Sequence, residues 1–175
     1  IDSATMMNKC LEVIEAHFLF DVAPEQIDVV IHPESVIHSM VQFCDGSVVA
    51  QLSPPDMRLP IAYALQFPER LATDLPRAGF GQLRSLHFEP VDHERFPAIA
   101  LAYKVLRMGG LAALTLNAAN EIAVAAFLAG RIKLPDIYAV VDKMVTESKA
   151  IPKPSLTELL EADRRVRKRT EELIA

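Results

Sequence analysis

The feature that most constrains this chain is a change of pattern at Phe96. From there to the end, apolar residues recur three and four apart, the spacing of one helix face. Ala98 to Met108 is rich in Ala and Leu and stops at Gly109-Gly110, where glycine suits a helix end. Leu116 to Leu128 carries a stripe of Leu116, Ala119, Ile122, Ala123, Ala126 and Phe127, stopped at Gly130. Pro135 starts a third helix, running to about Glu147. Ile151-Pro-Lys-Pro-Ser155 is a rigid spacer, and Ser155-Leu-Thr-Glu158 is a capping box that opens a last helix to Leu173. Four helices with short connections predict a bundle. The Arg164–Arg169 cluster is expected on a solvated face near a helix C-terminus, where cations are favoured.

Before Phe96 the elements are shorter. A helix capped by Ser3 is expected to bury Met7, Leu11, Ile14 and Phe18. Asp21 to Glu25 reads as a turn or short helical entry, and Ile27 to Ile31, short and β-branched, as a strand. His32-Pro-Glu-Ser35 breaks it. Val36 to Phe43 and Val48 to Leu52 flank Asp45-Gly46, a strong hairpin signal. The expected sheet packs on the Met7/Leu11/Ile14 face. Pro60 suits the first position of a helix through Leu65. Phe67 to Ser85 is irregular, a connecting arm, and Leu86 to Phe88 adds one more strand, ended by Pro90. The fold class is therefore α+β: a small mixed or antiparallel sheet with packed helices, an arm, then a C-terminal four-helix bundle.

At 175 residues and 51% hydrophobic, the chain can build one domain or two small ones. A net charge of −5 argues against a nucleic-acid surface, which needs clustered Lys and Arg. No apolar run is long enough to span a bilayer, and no secretory leader is expected. Cys10 and Cys44 lack metal-ligand spacing, so free thiols in a reducing cytoplasm are expected. No Gly-rich loop follows a strand, which excludes a dinucleotide fold within these residues. No Ser-His-Asp or Cys-His arrangement is present. Residue 1 is Ile and the first helix starts at once, so the chain is expected to be the C-terminal part of a longer one.

Few residues can carry chemistry. Asn8 and Glu12 are four apart and Lys9 and Glu12 three apart, so they share one helix edge with Ser3 at its N-terminus. A hydroxyl, an amide, an ammonium and a helix N-terminus together suit a phosphate. Glu12, one turn further, suits a hard cation. The same residues also make an ordinary solvated face with a weak Lys9–Glu12 pair. His38, on a strand beside Met40 by strict alternation, either bonds a substrate oxygen or is a sheet histidine satisfied by a backbone carbonyl. His32 and His38 bracket Ser35, with no third ligand at zinc spacing. Met57, in a loop, either lies against a flat ring or plugs an apolar gap. Asn117 is a candidate helix cap, and Asn120 and Glu121 are cap or interhelix groups.

Four blocks in order, SATMMNKCLE (3–12), HPESVIHSMVQFCDGSVVAQL (32–52), PDMRLPIAYAL (55–65) and LNAANEIAVAAFL (116–128), resemble the 1-deoxy-D-xylulose 5-phosphate reductoisomerase family. The resemblance implies residues 1–67 as the second half of a catalytic domain, 68–92 as a connecting arm with one strand, and 93–175 as the helical C-terminal domain. It implies a cytoplasmic homodimer that uses NADPH and Mg²⁺ or Mn²⁺ on a sugar phosphate, without nucleic acid or membrane. The reaction implied is isomerisation and then reduction to 2-C-methyl-D-erythritol 4-phosphate. By the same resemblance Ser3, Asn8, Lys9, Ser35 and His38 bind substrate, and Glu12 binds substrate and metal. Glu12 and His38 take part in catalysis, and Met57 packs near the nicotinamide. Cys10 stands where the family usually has Gly. The remaining metal carboxylates and the NADPH loop lie upstream in the family, so this chain alone is expected to be inactive. The alternative is a non-catalytic interaction or dimerisation module, or a small phosphate-binding protein.

Overall fold

In the computed structural model, all residues are described except Ala78, Phe80, residues 82–84 and Ala150. Residues 78, 80 and 82–84 belong to the stretch expected as a connecting arm, and that part of the expectation lies outside the described residues. The fold is α+β, and contacts gather it into two units, Ile1–Asp28 with Asp92–Ala175, and Val29–Val91.

The first unit is helical. α1 (Asp2–Thr5) and α2 (Met7–Phe20) are separated by Met6, whose φ of 56° is left-handed. Ser3 therefore lies inside α1 and caps nothing, contrary to the sequence reading. α2 packs on α4 (Ala98–Met108) through Met7, Cys10, Val13 and Ile14, all buried. Phe18, expected on that stripe, is exposed: the buried face runs Met7–Cys10–Ile14 and has turned away from Phe18 by the last turn. After a 3₁₀ turn at Pro24–Gln26, the Tyr103 hydroxyl of α4 donates to the Ile27 carbonyl at 2.9 Å.

α5 (Ala112–Leu128), α6 (Leu134–Thr146) and α7 (Leu156–Ile174) complete the bundle. α5 is the central helix, packing on α4, α6 and α7. Ala118, Ala119, Ala123 and Ala126 let its neighbours approach closely, with Leu116, Ile137, Val141 and Val145 filling the space between. α5 begins four residues before Leu116, so Asn117 sits within the helix and donates to Glu121 at 3.0 Å; it is not a cap. The expected capping box is present: Ser155 Oγ accepts the Glu158 N–H at 3.3 Å, and the Glu158 carboxylate accepts the Ser155 N–H at 2.8 Å. Arg167 departs from a merely solvated face. It bonds Asp163 at 2.9 Å and Glu121 at 2.8 Å, tying α7 to α5, and the two carboxylates push its pKa up.

The second unit holds two separate two-stranded antiparallel sheets among its described residues, where the sequence predicts one. β2 (Ile37–Gln42) pairs with β3 (Val48–Leu52) across the Asp45-Gly46 turn. β1 (Val30–Ile31) pairs with β4 (Glu89–Pro90), Val30 opposite Pro90 and Ile31 opposite Glu89. Residues 27–29 and 86–88, expected as strand, are not. α3 (Arg58–Gln66) starts two residues before Pro60, which takes the third helical position; its missing N–H costs nothing there. The Asp56 carboxylate accepts the Arg58 N–H at 2.9 Å and pairs with its guanidinium, which holds the Asp56 pKa down at about 2.

Candidate functional site

The expected site residues fall in two groups, one in each unit. In the first, the break at Met6 resets the helix. The first intrahelical bond of α2 runs from Cys10 N–H to the Met6 carbonyl at 3.0 Å. Met7 N–H reaches only the Thr5 hydroxyl, at 3.4 Å. The backbone N–H groups of Asn8 and Lys9 meet no carbonyl four residues back, so they stand at the positive end of a 14-residue helix. Asn8 is exposed and Lys9 half-exposed. Lys9 Nζ pairs with Glu12 one turn on, on the solvent side of α2, while Cys10 faces the core. The exposed Ser3 lies on α1 just before the break. Thus a helix N-terminus, an amide, an ammonium and a carboxylate line one face. That is chemistry for an anionic ester beside a hard cation.

The Cys10 thiol is fully buried, and burial pushes its pKa up to about 12, so it is no nucleophile or ligand. Among the described residues no three His, Cys, Asp or Glu side chains converge to hold a metal ion. Glu12 fits a hard divalent ion as one oxygen donor, and the rest of such a shell would come from outside these residues.

In the second group, His38 occupies a β-bulge. Ile37 faces Leu52 and Ser39 faces Gln51, so His38 has no opposite residue. The bulge breaks the strict alternation expected from sequence and re-aims the imidazole. His38 Nε2 lies 2.9 Å from the Ser53 carbonyl oxygen. A carbonyl can only accept, so Nε2 carries the proton and Nδ1 remains an acceptor. Ser53 N–H in turn donates to the Val36 carbonyl at 3.0 Å. The two readings of His38 are therefore compatible: a backbone bond at one nitrogen orients the ring and leaves the other for a ligand. Ser35 is exposed, at the end of a turn closed by its N–H donating to the His32 carbonyl at 3.0 Å, with φ 50°. Met57 stands just before α3 and is 70% exposed, so it does not plug an apolar gap among the described residues.

Two polar pairings were not legible in the sequence. Asn120, expected as a cap or interhelix group and buried on α5, does bond another helix, but its partner is one the sequence does not name: it donates to the Asp2 carboxylate at 3.3 Å and so anchors α1 to the bundle. Glu34 binds His87, 53 positions away. Neither pair has a local signature, because both partners are set by packing at long range.

Known proteins resemble the chain throughout. A family model described as the DXP reductoisomerase C-terminal domain matches residues 52–169, and one described as the 1-deoxy-D-xylulose 5-phosphate reductoisomerase C-terminal domain matches residues 1–20. The chain therefore belongs to the 1-deoxy-D-xylulose 5-phosphate reductoisomerase family. It is 53% identical over 175 residues to that reductoisomerase of Paraburkholderia xenovorans, and 54% identical over 168 residues to that of Bacillus subtilis. These alignments take in 100% and 95% of this chain and 44% of each relative, so the chain spans under half their length. Among solved structures, the enzyme from Zymomonas mobilis in complex with NADPH matches with a TM-score of 0.90 at 45% identity, covering 99% of this chain and 46% of that one. A DOX-P reductoisomerase in complex with NADPH, fosmidomycin and magnesium matches at 0.91 and 45% identity, covering 99% and 45%.

Proposed function

We propose that this chain is the C-terminal portion of an enzyme that converts 1-deoxy-D-xylulose 5-phosphate to 2-C-methyl-D-erythritol 4-phosphate with NADPH and Mg²⁺ or Mn²⁺. The observation that carries the reading is the restarted helix α2, with Asn8 and Lys9 at its N-terminus and Glu12 one turn on. Family membership and the solved complexes with NADPH and magnesium support it.

Each side chain has a defined task. Ser3, Asn8 and Lys9 grip the substrate phosphate through hydroxyl, amide and ammonium donors, aided by the helix N-terminus. Lys9 exchanges its Glu12 partner for the phosphate, which frees the Glu12 carboxylate to hold the metal. The ion, when bound, polarises substrate carbonyl and hydroxyl oxygens. His38, oriented through Nε2, presents Nδ1 to a substrate hydroxyl, and Ser35 bonds the same substrate. Met57 lies against the nicotinamide, a use its exposed thioether suits. Residues 1–67 complete the catalytic domain, 68–92 connect, and 93–175 form the helical domain. The remaining ligands and the NADPH loop are supplied from outside this chain, so the chain alone is inactive.

The protein works as a cytoplasmic homodimer, binding neither nucleic acid nor membrane. Among the described residues no helix is long and apolar enough to cross a bilayer. The exposed Val41, Phe43, Val48 and Val49 of the hairpin are apolar surface that a second copy covers.

The test is Glu12→Gln in the full-length protein, followed by substrate-dependent NADPH oxidation and by Mn²⁺ titration. Activity and Mn²⁺ affinity should each fall at least about 100-fold. Retention of both would remove Glu12 from the site and the reading with it.

A further inference from the structure

The turn that carries Ser35 is held by a carboxylate to which the reading above gives no task. Glu34 Oε2 accepts the backbone N–H of His87 at 3.0 Å, and Oε1 accepts Nδ1–H of the same residue's ring. His32 Nδ1 donates to the His87 carbonyl at 2.8 Å and lies 3.1 Å from Glu34 Oε2. The His32 side chain is only 7% exposed, and its ring stacks on Phe88 with centroids 4.9 Å and planes 18° apart. So both polar residues that flank Pro33 grip the same dipeptide, His87-Phe88. The grip sits directly beside the β1–β4 pairing of Val30–Ile31 with Glu89–Pro90.

Such an anchor is needed here. Ser35 has a left-handed φ of 50°, a conformation that an L residue with a Cβ keeps only when its surroundings over-determine it. Pro33 fixes one φ in the turn, and the His32 carbonyl closes it on Ser35 N–H. What remains free is the tilt of the turn as a whole, and the Glu34 carboxylate removes it by taking two donors of one residue. A carboxylate accepts from both at once. An amide in its place could accept from only one of them and would need the His87 ring to carry its proton on Nε2 instead.

The geometry points to Glu34 as a positioning residue for the substrate pocket: clamped by His87 and flanked by His32, it fixes the turn that presents Ser35. This rests on the assignment of Ser35 to that pocket. A brace that only stabilises the fold shifts the melting temperature and leaves KM alone. A positioning brace raises KM for the sugar phosphate and leaves KM for NADPH unchanged.

The experiment uses full-length protein carrying Glu34→Ala, His87→Ala, His87→Asn or Ser35→Ala, each compared with the parent by circular dichroism and steady-state kinetics. Glu34→Ala and His87→Ala should raise KM for 1-deoxy-D-xylulose 5-phosphate on the order of tenfold. His87→Asn, whose amide N–H₂ can replace the ring donor, should restore it. If Ser35→Ala raises that KM while Glu34→Ala and His87→Ala leave it at the parent value, the positioning role is overturned and the pocket assignment stands. If Ser35→Ala itself changes nothing, the pocket assignment falls and the positioning role falls with it. Should Glu34→Ala fail to fold, His87→Ala decides alone, because the His87 ring is 65% exposed and its loss leaves no buried gap.

Discussion

Replacing Cys10 by glycine tests the α2–α4 packing and the division of α2 into two faces. Cys10 is fully buried, against helix α4, among Met7, Val13 and Ile14. Removing CH₂–SH deletes two buried heavy atoms, about 1.6 kcal/mol at about 0.8 kcal/mol per methylene-sized group. Glycine within a helix adds about 0.5–1 kcal/mol of backbone entropy. The total is about 2–3 kcal/mol, the upper end applying where the gap stays open. In the full-length protein this should appear as a drop in melting temperature on the order of 5 °C. KM for the sugar phosphate should not move, because Asn8, Lys9 and Glu12 lie on the opposite, solvent side. Thiol titration with a disulfide reagent and peptide mapping gives a second readout: of the two cysteines of this chain, Cys44 is exposed and reacts in the native parent, and Cys10 reacts only on unfolding. Burial also raises the Cys10 pKa from 9.0 to about 12. Above pH 9 the unfolded thiol ionises while the folded one stays protonated, so stability falls as pH rises from about 9 to about 12, and Cys10→Gly removes that slope. An unchanged melt together with a Cys10 thiol that reacts in the native protein would refute the packing described.

Leu116→Ala, at a fully buried position of the central helix α5, should cost about 3 kcal/mol in urea denaturation, since the alanines around it leave little that can move in to fill the gap. At the acid end, the His87 hydrogen bonds lower the Glu34 pKa from 4.5 to about 2. Stability from this contact is complete above about pH 4.5 and lost as pH falls toward 2, so Glu34→Gln should flatten that part of the acid-denaturation profile.

The helical half was legible because its signals are local. Gly109-Gly110 ends α4 within the residue expected, and Ser155 with Glu158 opens α7 through bonds that span three positions. Asn117 misled for a related reason: its side chain can cap a helix, but Ala112, Ala113 and Leu114 are strong helix formers with no Gly or Pro between them and Asn117, and α5 extends back to Ala112. The strands were less legible. β1 and β4 are two residues each, and their existence depends on a pairing between positions some 60 apart that no periodicity encodes. The bulge at His38 was hidden for the same reason, since register belongs to two strands and not to one.

The break at Met6 is the most consequential feature that the sequence conceals, because it changes what the site residues can do. A single helix starting at Ser3 would have committed the Asn8 and Lys9 N–H groups to the carbonyls of Ala4 and Thr5, leaving only side chains to meet an anion. With Met6 left-handed at φ 56°, those two N–H groups become the second and third positions of a new helix. Backbone donors then join the amide and the ammonium on one face. Methionine itself does not favour this conformation. It is held from both sides: the Thr5 hydroxyl reaches the Ile1 and Asp2 carbonyls at 3.3 Å and the Met7 N–H at 3.4 Å, and Asn120 of the bundle holds the Asp2 carboxylate. The LNAANE block is thus tied to Asp2, the residue just before the SATMMNK block, by a side-chain bond across 118 positions. The helical domain accordingly does more than fill space: through Asn120 it anchors α1, whose Thr5 braces the break that frees the backbone donors at the start of α2.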